Sequence, residues 1–158
     1  MKSKLALVTG SFDPITIGHT DIVRRAAAMF DRVIVLVANN EEKKYMFSLE
    51  QRVEIAKAAT SDIENVSAMG WSGYVADFAK EKGAAAFVRG IRNSSDLEYE
   101  QLMAVKNFEL CHVDTVMLFS KPEYCDISST VVREKLLSGD AGDYMPSAAL
   151  ETAEKYLS

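Results

Sequence analysis

The stretch from residue 9 to residue 19 combines residue types that could hold a negatively charged ligand. Gly10 has no side chain and would let the backbone approach a ligand, and Ser11 adds a hydroxyl. Gly18 and His19 begin a segment with helical spacing, and a helix start presents unpaired N–H groups and a partial positive charge. The stretch therefore predicts an anion site that contains His19, although a purely structural capping histidine would give part of the same pattern.

Basic side chains follow two later apolar runs. Lys43 and Lys44 come after a β-branched run, and Arg89 and Arg92 flank Gly90 directly after an alanine-rich run. Lysine is a flexible point charge and arginine is a rigid fork of donors, and both suit phosphate. A solvated turn would also explain the lysine pair, and surface ion pairs with nearby carboxylates would also explain the arginines.

Three hydroxyl residues, Ser128, Ser129 and Thr130, precede a late helical segment. Hydroxyls at this place could cap the helix or bind a phosphate, and the sequence favours neither role. No base is evident for a nucleophile, because His112 lies at a predicted helix end and the G-x-S-x-G pattern is missing. The P-loop, G-x-G-x-x-G and H-E-x-x-H patterns are missing too. The chemistry-bearing residues are therefore anion-binding donors without a nucleophile–base pair.

Short apolar runs alternate with longer amphipathic segments, which predicts crossover units and a mostly parallel sheet. Strands are predicted near residues 5–8, 33–38, 66–69, 84–88 and 115–119, and helices near residues 22–30, 48–56, 74–83, 95–109, 130–137 and 148–157. We therefore expect one doubly wound α/β domain with a five-stranded parallel sheet over residues 1–158, and C-terminal helices from about residue 130 packed on it. In such sheets ligands bind beyond the carboxyl ends of the strands, where the basic and hydroxyl residues lie.

Three local signals predict helix boundaries. Ser48 with Gln51 and Ser95 with Glu98 each match a capping box, so a helix should begin after each serine. Gly83 follows a short helical segment and predicts its end.

The composition narrows the class of protein. Apolar residues make up 48% and charged residues 26%, which suits a folded globular protein, and the net charge of −5 argues against a broad nucleic-acid-binding face. No apolar run approaches the roughly 18 residues of a membrane helix, and the apolar start is too short for a signal peptide. We therefore expect a cytoplasmic protein. Cys111 and Cys125 form no C-x-x-C pair, so no metal site made by the protein is expected.

These residues resemble the nucleotidylyltransferase superfamily. Its signature, (H/T)-x-G-H after G-[ST]-F-D-P, is matched between residues 10 and 19, and its Ile-Ser-[ST]-[ST] block is matched at residues 127–130. The block Lys-Lys-x-Met-Phe at residues 43–47 and the block Arg-Gly-x-Arg at residues 89–92 resemble the phosphopantetheine adenylyltransferase family in particular. The likeness covers almost the whole chain.

The resemblance implies a Rossmann-like fold and the transfer of AMP from ATP to 4′-phosphopantetheine in coenzyme A biosynthesis, with 3′-dephospho-CoA and pyrophosphate as products. It implies catalytic roles for His19, Lys43 and Arg92. The residues that it places at ATP are Gly10, Ser11, Phe12, Gly18, His19, Gly90, Arg92, Glu100, Ser128, Ser129 and Thr130. The residues that it places at the acceptor are Ser11, Lys43, Tyr74, Val75 and Arg89. It also implies Mg²⁺ held mainly by phosphates and water, a homohexamer, and dephospho-CoA or CoA as a product or inhibitor.

Four positions depart from the family pattern, one of them Ser11, which keeps the hydroxyl of the commoner threonine, and two other functions remain open. Thr9 stands where many members have proline, and Trp71 and Tyr74 lie where members line the pantetheine arm with apolar side chains. A nucleotidylyltransferase with another acceptor, such as nicotinamide mononucleotide or glycerol phosphate, would share the first and last motifs. A nucleotide sensor without catalysis would bind ATP and release no pyrophosphate.

Overall fold

The computed structural model describes residues 3–158 and contains a five-stranded sheet in the order β3-β2-β1-β4-β5. Every neighbouring pair of strands is parallel. The strands are β1 (Leu5–Gly10), β2 (Arg32–Asn39), β3 (Val66–Ser72), β4 (Ala86–Ile91) and β5 (Asp114–Phe119). The predicted five-stranded parallel sheet is confirmed. The predicted domain begins at Met1, but Met1 and Lys2 lie outside the described residues.

In the described part of the chain, six α-helices connect and follow the strands. They are α1 (Ile17–Met29), α2 (Leu49–Thr60), α3 (Val75–Lys82), α4 (Ser94–Cys111), α5 (Ser129–Ser138) and α6 (Ser147–Leu157). Short 3₁₀ turns at Pro122–Tyr124 and Ala141–Asp143 precede α5 and α6. None of the helices within residues 3–158 has the length and apolar character that crossing a membrane requires.

The sheet is buried on both faces by two groups of helices. Ala6 and Val8 of β1 belong to a core shared with α1, α2 and α6, whereas Leu5 and Leu7 belong to a core shared with α3 and the end of α4. Alternate residues of one strand point to opposite faces, so both sets must be apolar. This double burial explains why the first two strands are continuous apolar runs in the sequence.

Two of the three predicted helix boundaries are confirmed. Ser48 caps α2, because its side chain accepts from the Gln51 backbone N–H while the Gln51 side chain binds back to Ser48. Gly83 ends α3 in the left-handed conformation with a φ of 64°, which glycine adopts without steric cost.

The third predicted boundary, at Ser95 with Glu98, is wrong. The helix α4 begins at Ser94, and its capping residue is Asn93, whose side chain accepts from the Asp96 backbone N–H. Asparagine caps a helix at least as well as serine. The earlier cap therefore starts the helix before Ser95 is reached.

The strand order creates a crevice between β1 and β4. The chain leaves β1 towards β2 and β3 on one side of the sheet and later returns to place β4 and β5 on the other side. The loops at the carboxyl ends of β1 and β4 consequently diverge, which is the usual place for a ligand in this class of sheet.

A methyl group at Gly90 would strike the buried side of α1. A Cβ at Gly90 would lie 2.9 Å from Cγ1 of Ile22, and Ile22 is buried. We predict that Gly90→Ala lowers the free energy of unfolding by about 1–3 kcal/mol, because overpacking displaces core atoms. Urea unfolding measures this. Gly142→Ala is the control, because a Cβ there meets nothing within 4 Å, and an equal loss in both variants would contradict the packing role of Gly90.

Candidate active site

A cavity of about 490 Å³ opens beyond the carboxyl ends of β1 and β4. Its wall includes His19 from α1, Lys43 from the segment after β2, and Arg89 and Arg92 from β4 and the residue after it. The four positions come from three separate parts of the sequence and surround one space. The cavity is also lined by all of the other residues that the sequence predicts at ATP, namely Gly10, Ser11, Phe12, Gly18, Gly90, Glu100, Ser128, Ser129 and Thr130.

The imidazole of His19 is fixed by a capping box at the start of α1. The Thr16 backbone N–H donates to Nδ1 of His19 over 3.0 Å, and the His19 backbone N–H donates to Oγ1 of Thr16 over 3.2 Å. Because Nδ1 accepts a hydrogen bond, a neutral ring must carry its proton on Nε2. His19 is therefore a helix cap as well as a residue of the cavity wall.

His19 is neutral at physiological pH. Burial, followed by the positive charges of Arg89 and Arg92, lowers the pKa of His19 from its ordinary value of 6.5 to about 4. The ring therefore presents an uncharged Nε2–H donor beside two guanidinium groups. A neutral donor adds a hydrogen bond to an anion without adding repulsion between cations.

Gly10 leaves room for the ring of Phe12. A Cβ at Gly10 would lie 3.1 Å from Cζ of Phe12, and Phe12 is buried with a φ of 46° in the left-handed region. The Phe12 ring meets the His19 ring edge-to-face at 5.1 Å between centroids. Gly10 therefore helps to place the imidazole through the intervening aromatic ring.

Arg89 is held by a buried carboxylate. Its Nε donates to Oε2 of Glu100 over 2.8 Å, and its Nη2 donates to Oε1 over 2.6 Å. Its Nη1 donates to the Thr9 carbonyl and lies 3.2 Å from the Thr9 hydroxyl. Glu100, which the resemblance places at the nucleotide, thus orients the guanidinium in this structure.

Arg92 lines the cavity and pairs with Asp96. Its backbone N–H and its Nε each lie 3.0 Å from Oδ2 of Asp96. Burial acts to raise the pKa of Asp96, but hydrogen bonds and positive charge from Arg92 outweigh it, so the pKa lies below its ordinary value. The ion pair that the sequence offered as an alternative is present, and it occurs inside the predicted site.

Both lysines of the pair after β2 reach the cavity. Lys43 and Lys44 are exposed, and both belong to the cavity wall. The segment is anchored by the buried Asp13, whose carboxylate accepts from the backbone N–H groups of Met46 and Phe47 over 2.9 and 3.0 Å. The aspartate of the first motif therefore holds the lysine-bearing segment against the exit of β1.

The three hydroxyls at the start of α5 all make contacts within the protein. Ser128 caps α5 by accepting from the Val131 backbone N–H, and Ser129 donates to the Pro14 carbonyl over 2.8 Å. Thr130 accepts from Nη2 of Arg133 over 3.2 Å. The capping role is therefore observed, and the start of α5 lies at the cavity.

Sequence analysis missed Arg133, which lines the cavity and donates from Nη1 to the Asp13 carbonyl over 2.8 Å. A signal for it exists, because Arg133 lies three residues after Thr130 and so shares its face of the helix. Its position inside the helix made it look like an ordinary surface charge.

A second cavity of about 210 Å³ adjoins the first and shares Ser11 and Arg89 with it. Val75, predicted at the acceptor, lines this second cavity together with apolar residues such as Met103. Tyr74, also predicted there, is 72% exposed and lines neither cavity. The structure therefore brings Val75 to the site and leaves Tyr74 outside it.

Within residues 3–158, no three His, Cys, Asp or Glu side chains are grouped closely enough to hold a metal ion. The carboxylates of the main cavity are instead engaged by basic side chains or by backbone N–H groups, as Glu100, Asp96 and Asp13 show. Any cation in this cavity would have to take most of its ligands from a bound molecule or from water.

Comparisons with known proteins show the family to which the chain belongs. A cytidylyltransferase-like family model matches residues 7–135. Relatives named phosphopantetheine adenylyltransferase occur in Heliobacterium modesticaldum, at 46% identity over 96% of this chain and 92% of the relative, and in Renibacterium salmoninarum, at 44% identity over 92% of each. A further relative of the same name from Moorella thermoacetica is 47% identical over 83% of this chain and 82% of its own length.

A solved structure shares the fold at low sequence identity. The bifunctional NMN adenylyltransferase/ADP ribose pyrophosphatase of Francisella tularensis superposes with a TM-score of 0.65 at 18% identity, over 91% of this chain and 45% of that chain. The predicted Rossmann-like architecture is thereby confirmed. From the family model and the relatives together, the chain belongs to the cytidylyltransferase-like family and, within it, to the phosphopantetheine adenylyltransferases.

Proposed function

We propose that this protein transfers AMP from ATP to 4′-phosphopantetheine, forming 3′-dephospho-CoA and pyrophosphate in coenzyme A biosynthesis. The observation that carries the proposal is the meeting of His19, Lys43, Arg89 and Arg92 around one cavity of about 490 Å³ in a chain of this family. Such a set of donors fits two phosphate-bearing molecules placed end to end.

The reaction requires no nucleophile from the protein. An oxygen of the acceptor phosphate attacks the α-phosphorus of ATP, and the bond from that phosphorus to the bridging oxygen of pyrophosphate breaks. The acceptor phosphate already carries negative charge at neutral pH. Catalysis then comes from aligning the two anions and from neutralising the charge that grows on the leaving group. The donor set, which contains no nucleophile–base pair, fits this requirement.

Each donor has a proposed part of the reactants, which its chemistry and its place in the cavity wall support. The neutral Nε2–H of His19 donates to oxygens at the α- and β-phosphates, beside the start of α1. Arg92 and the N–H groups at the start of α5 face the β- and γ-phosphates. Lys43 and the Ser11 hydroxyl contact the acceptor phosphate and the transferred group. Lys43 is exposed and flexible, which suits a charge that follows the phosphoryl group as it moves.

The second cavity provides a place for the acceptor's arm. It is lined by Val75 and other apolar side chains and shares Ser11 and Arg89 with the main cavity. An arm bound there would direct its phosphate to Arg89, whose plane is fixed by Glu100. The shared wall supports an acceptor that joins a phosphate to an elongated arm of mixed polar and apolar groups.

Magnesium fits this site as a companion of ATP. Part of the triphosphate charge would be neutralised by Mg²⁺ held by phosphate oxygens and water, since the described residues offer no carboxylate cluster for it.

Dephospho-CoA and CoA share the phosphate and the arm of the substrates, so they would compete for the same two cavities. Cys111 and Cys125 are free thiols, which fits a reducing cytoplasm.

The assay that tests the function measures pyrophosphate release with ATP and phosphopantetheine together. Release that requires phosphopantetheine supports the proposal. Release with nicotinamide mononucleotide or glycerol phosphate instead would identify a different nucleotidylyltransferase. Binding of ATP without release in the presence of any acceptor would identify a sensor.

The outer face of α4 supports self-association, and we include a homohexamer in the proposal. Tyr99, Leu102, Val105 and Phe108 are 41–58% exposed on this helix. We expect a mass about six times the 17.4 kDa of one chain in sedimentation experiments. Leu102→Glu should reduce that mass, whereas Leu137→Glu, at an exposed leucine of α5, should not. A monomeric wild-type protein would contradict the hexamer.

Removal of the His19 imidazole should stop most turnover. We predict that His19→Ala lowers kcat by at least about a hundredfold, the usual effect of losing one preorganised donor to a developing charge. Pyrophosphate release measures this, and circular dichroism verifies that the variant is folded. His112→Ala, which alters the residue that caps the end of α4, should keep near-normal turnover. Near-normal turnover in His19→Ala would remove His19 from the mechanism.

The depressed pKa of His19 predicts a pH-dependent stability. The pKa is about 4 in the folded protein against an ordinary value of 6.5, so the unfolded chain binds more protons between these values. The contribution of His19 is therefore complete above pH 6.5 and is lost as the pH falls towards 4.

Between about pH 7.5 and about pH 5, the wild type should lose on the order of 2 kcal/mol more unfolding free energy than His19→Asn, which cannot titrate. Urea unfolding at the two pH values measures the difference. Equal losses in the two proteins would show that His19 is not held neutral.

A further inference from the structure

Arg52, on α2, is a fully buried basic residue that is not among the four donors His19, Lys43, Arg89 and Arg92. A buried charge is costly unless its donors are satisfied. The guanidinium donates from Nε to the Phe47 carbonyl over 3.1 Å and from Nη1 to the carbonyls of Ser11 and Ala38 over 2.9 and 3.0 Å. Its Nη2 donates to Oδ1 of Asn39 over 2.5 Å. Among the described residues no carboxylate accepts from it, and all four acceptors are neutral oxygens.

These acceptors lie on three different segments. Ser11 follows β1, Ala38 and Asn39 end β2, and Phe47 comes just after the lysine pair. The guanidinium of Arg52 therefore joins the carboxyl ends of β1 and β2 to the segment that brings Lys43 to the cavity. The rigid fork of arginine can reach acceptors in several directions at once, which the single ammonium of lysine cannot.

A ring of the lysine-bearing segment also rests on Arg52. We define the lysine loop as residues 40–47. The Tyr45 ring lies 3.8 Å from the guanidinium carbon, and the Tyr45 hydroxyl accepts from the Asn40 backbone N–H over 3.0 Å. Tyr45 thus closes the loop across its base, and Lys43 lies between the two closing residues. The lysine loop is therefore supported on the face of the buried guanidinium.

We propose that Arg52 is a positioning residue that holds the lysine loop, and with it Lys43, in register with the exit of β1. It lines neither of the two cavities, so it acts on the reaction through Lys43. A residue that served stability alone could be apolar, because well-packed apolar groups often replace buried charges without loss. Two of its five contacts, to the Phe47 carbonyl and the Tyr45 ring, are instead made with the lysine loop, and the other three hold the exits of β1 and β2. The part of the proposal that concerns turnover rests on the proposed function.

The first test needs no enzymatic activity. In Arg52→Lys, the lysine loop should open more often, so trypsin should cut after Lys43 or Lys44 roughly tenfold faster than in the wild type. Mass spectrometry identifies the cut sites. Arg24→Lys, which alters an exposed arginine paired with Asp62, should be cut like the wild type. Unchanged cleavage of the loop in Arg52→Lys would overturn the proposal.

The second test links the loop to turnover. Arg52→Lys should lower kcat roughly tenfold or more, with KM for ATP changed much less, because the chemical step is misaligned. In a Lys43→Ala background the same substitution should cost less than about threefold, because its effect passes through Lys43. Equal fold losses in the two backgrounds would overturn the role in positioning Lys43.

A second variant guards against a folding defect in Arg52→Lys. Tyr45→Leu removes the ring and hydroxyl that rest on Arg52 and leaves the buried charge in place. Tyr45→Leu should also be cleaved faster by trypsin and should also have a lower kcat. The loss of kcat should again vanish in the Lys43→Ala background. Normal cleavage and turnover in Tyr45→Leu would overturn the proposal. If the wild type released no pyrophosphate with phosphopantetheine, the proposed function would fail while the proteolysis result would still decide the positioning of the loop.

Discussion

A site for two phosphate-bearing substrates must gather positive groups that repel one another before either substrate arrives. In this protein three arginines at or beside the cavity are compensated by the fold. Arg89 is paired with Glu100, Arg92 with Asp96, and Arg52 with backbone carbonyls. The nearby imidazole of His19 is kept neutral, so it adds a donor and no charge. This compensation lets basic side chains from distant segments share one cavity in a chain whose net charge is −5.

The same need to compensate positive charge explains what the acidic residues of the main cavity do. Asp13, Asp96 and Glu100 all line the main cavity, yet each is engaged by the protein itself. Asp13 accepts two backbone N–H groups of the lysine-bearing segment, and the other two orient arginines. They act as internal counterparts of the basic side chains, which is why acidic residues can lie in a site built for polyanions.

Much of this arrangement could be predicted from the sequence, because its signals are local. Continuous apolar runs identified the doubly buried strands, and the residues after each strand identified the cavity wall. The start of α4 was missed because Asn93 outcompetes the apparent capping box at Ser95. Contacts between distant segments could not be predicted, since nothing local indicates that Arg89 meets Glu100 or that Arg52 meets Ser11. The position of Tyr74 outside both cavities could not be predicted for a related reason, because the direction of a side chain at a helix start depends on tertiary packing.

The contrast between the paired arginines and the lysines has a consequence for how ligands are captured. Within residues 3–158, Lys43 and Lys44 form no ion pair at 4.0 Å or less, and both are exposed in the cavity wall, whereas Arg89 and Arg92 are each paired with a carboxylate. Long-range attraction of a polyanion therefore comes chiefly from a mobile, solvent-screened pair of charges. Salt screens the attraction between charges that lie farther apart than a Debye length. It screens the interaction between groups in close contact much less. Ionic strength should thus change the rate at which a ligand encounters the site far more than the rate at which bonds form and break at the transferred phosphorus.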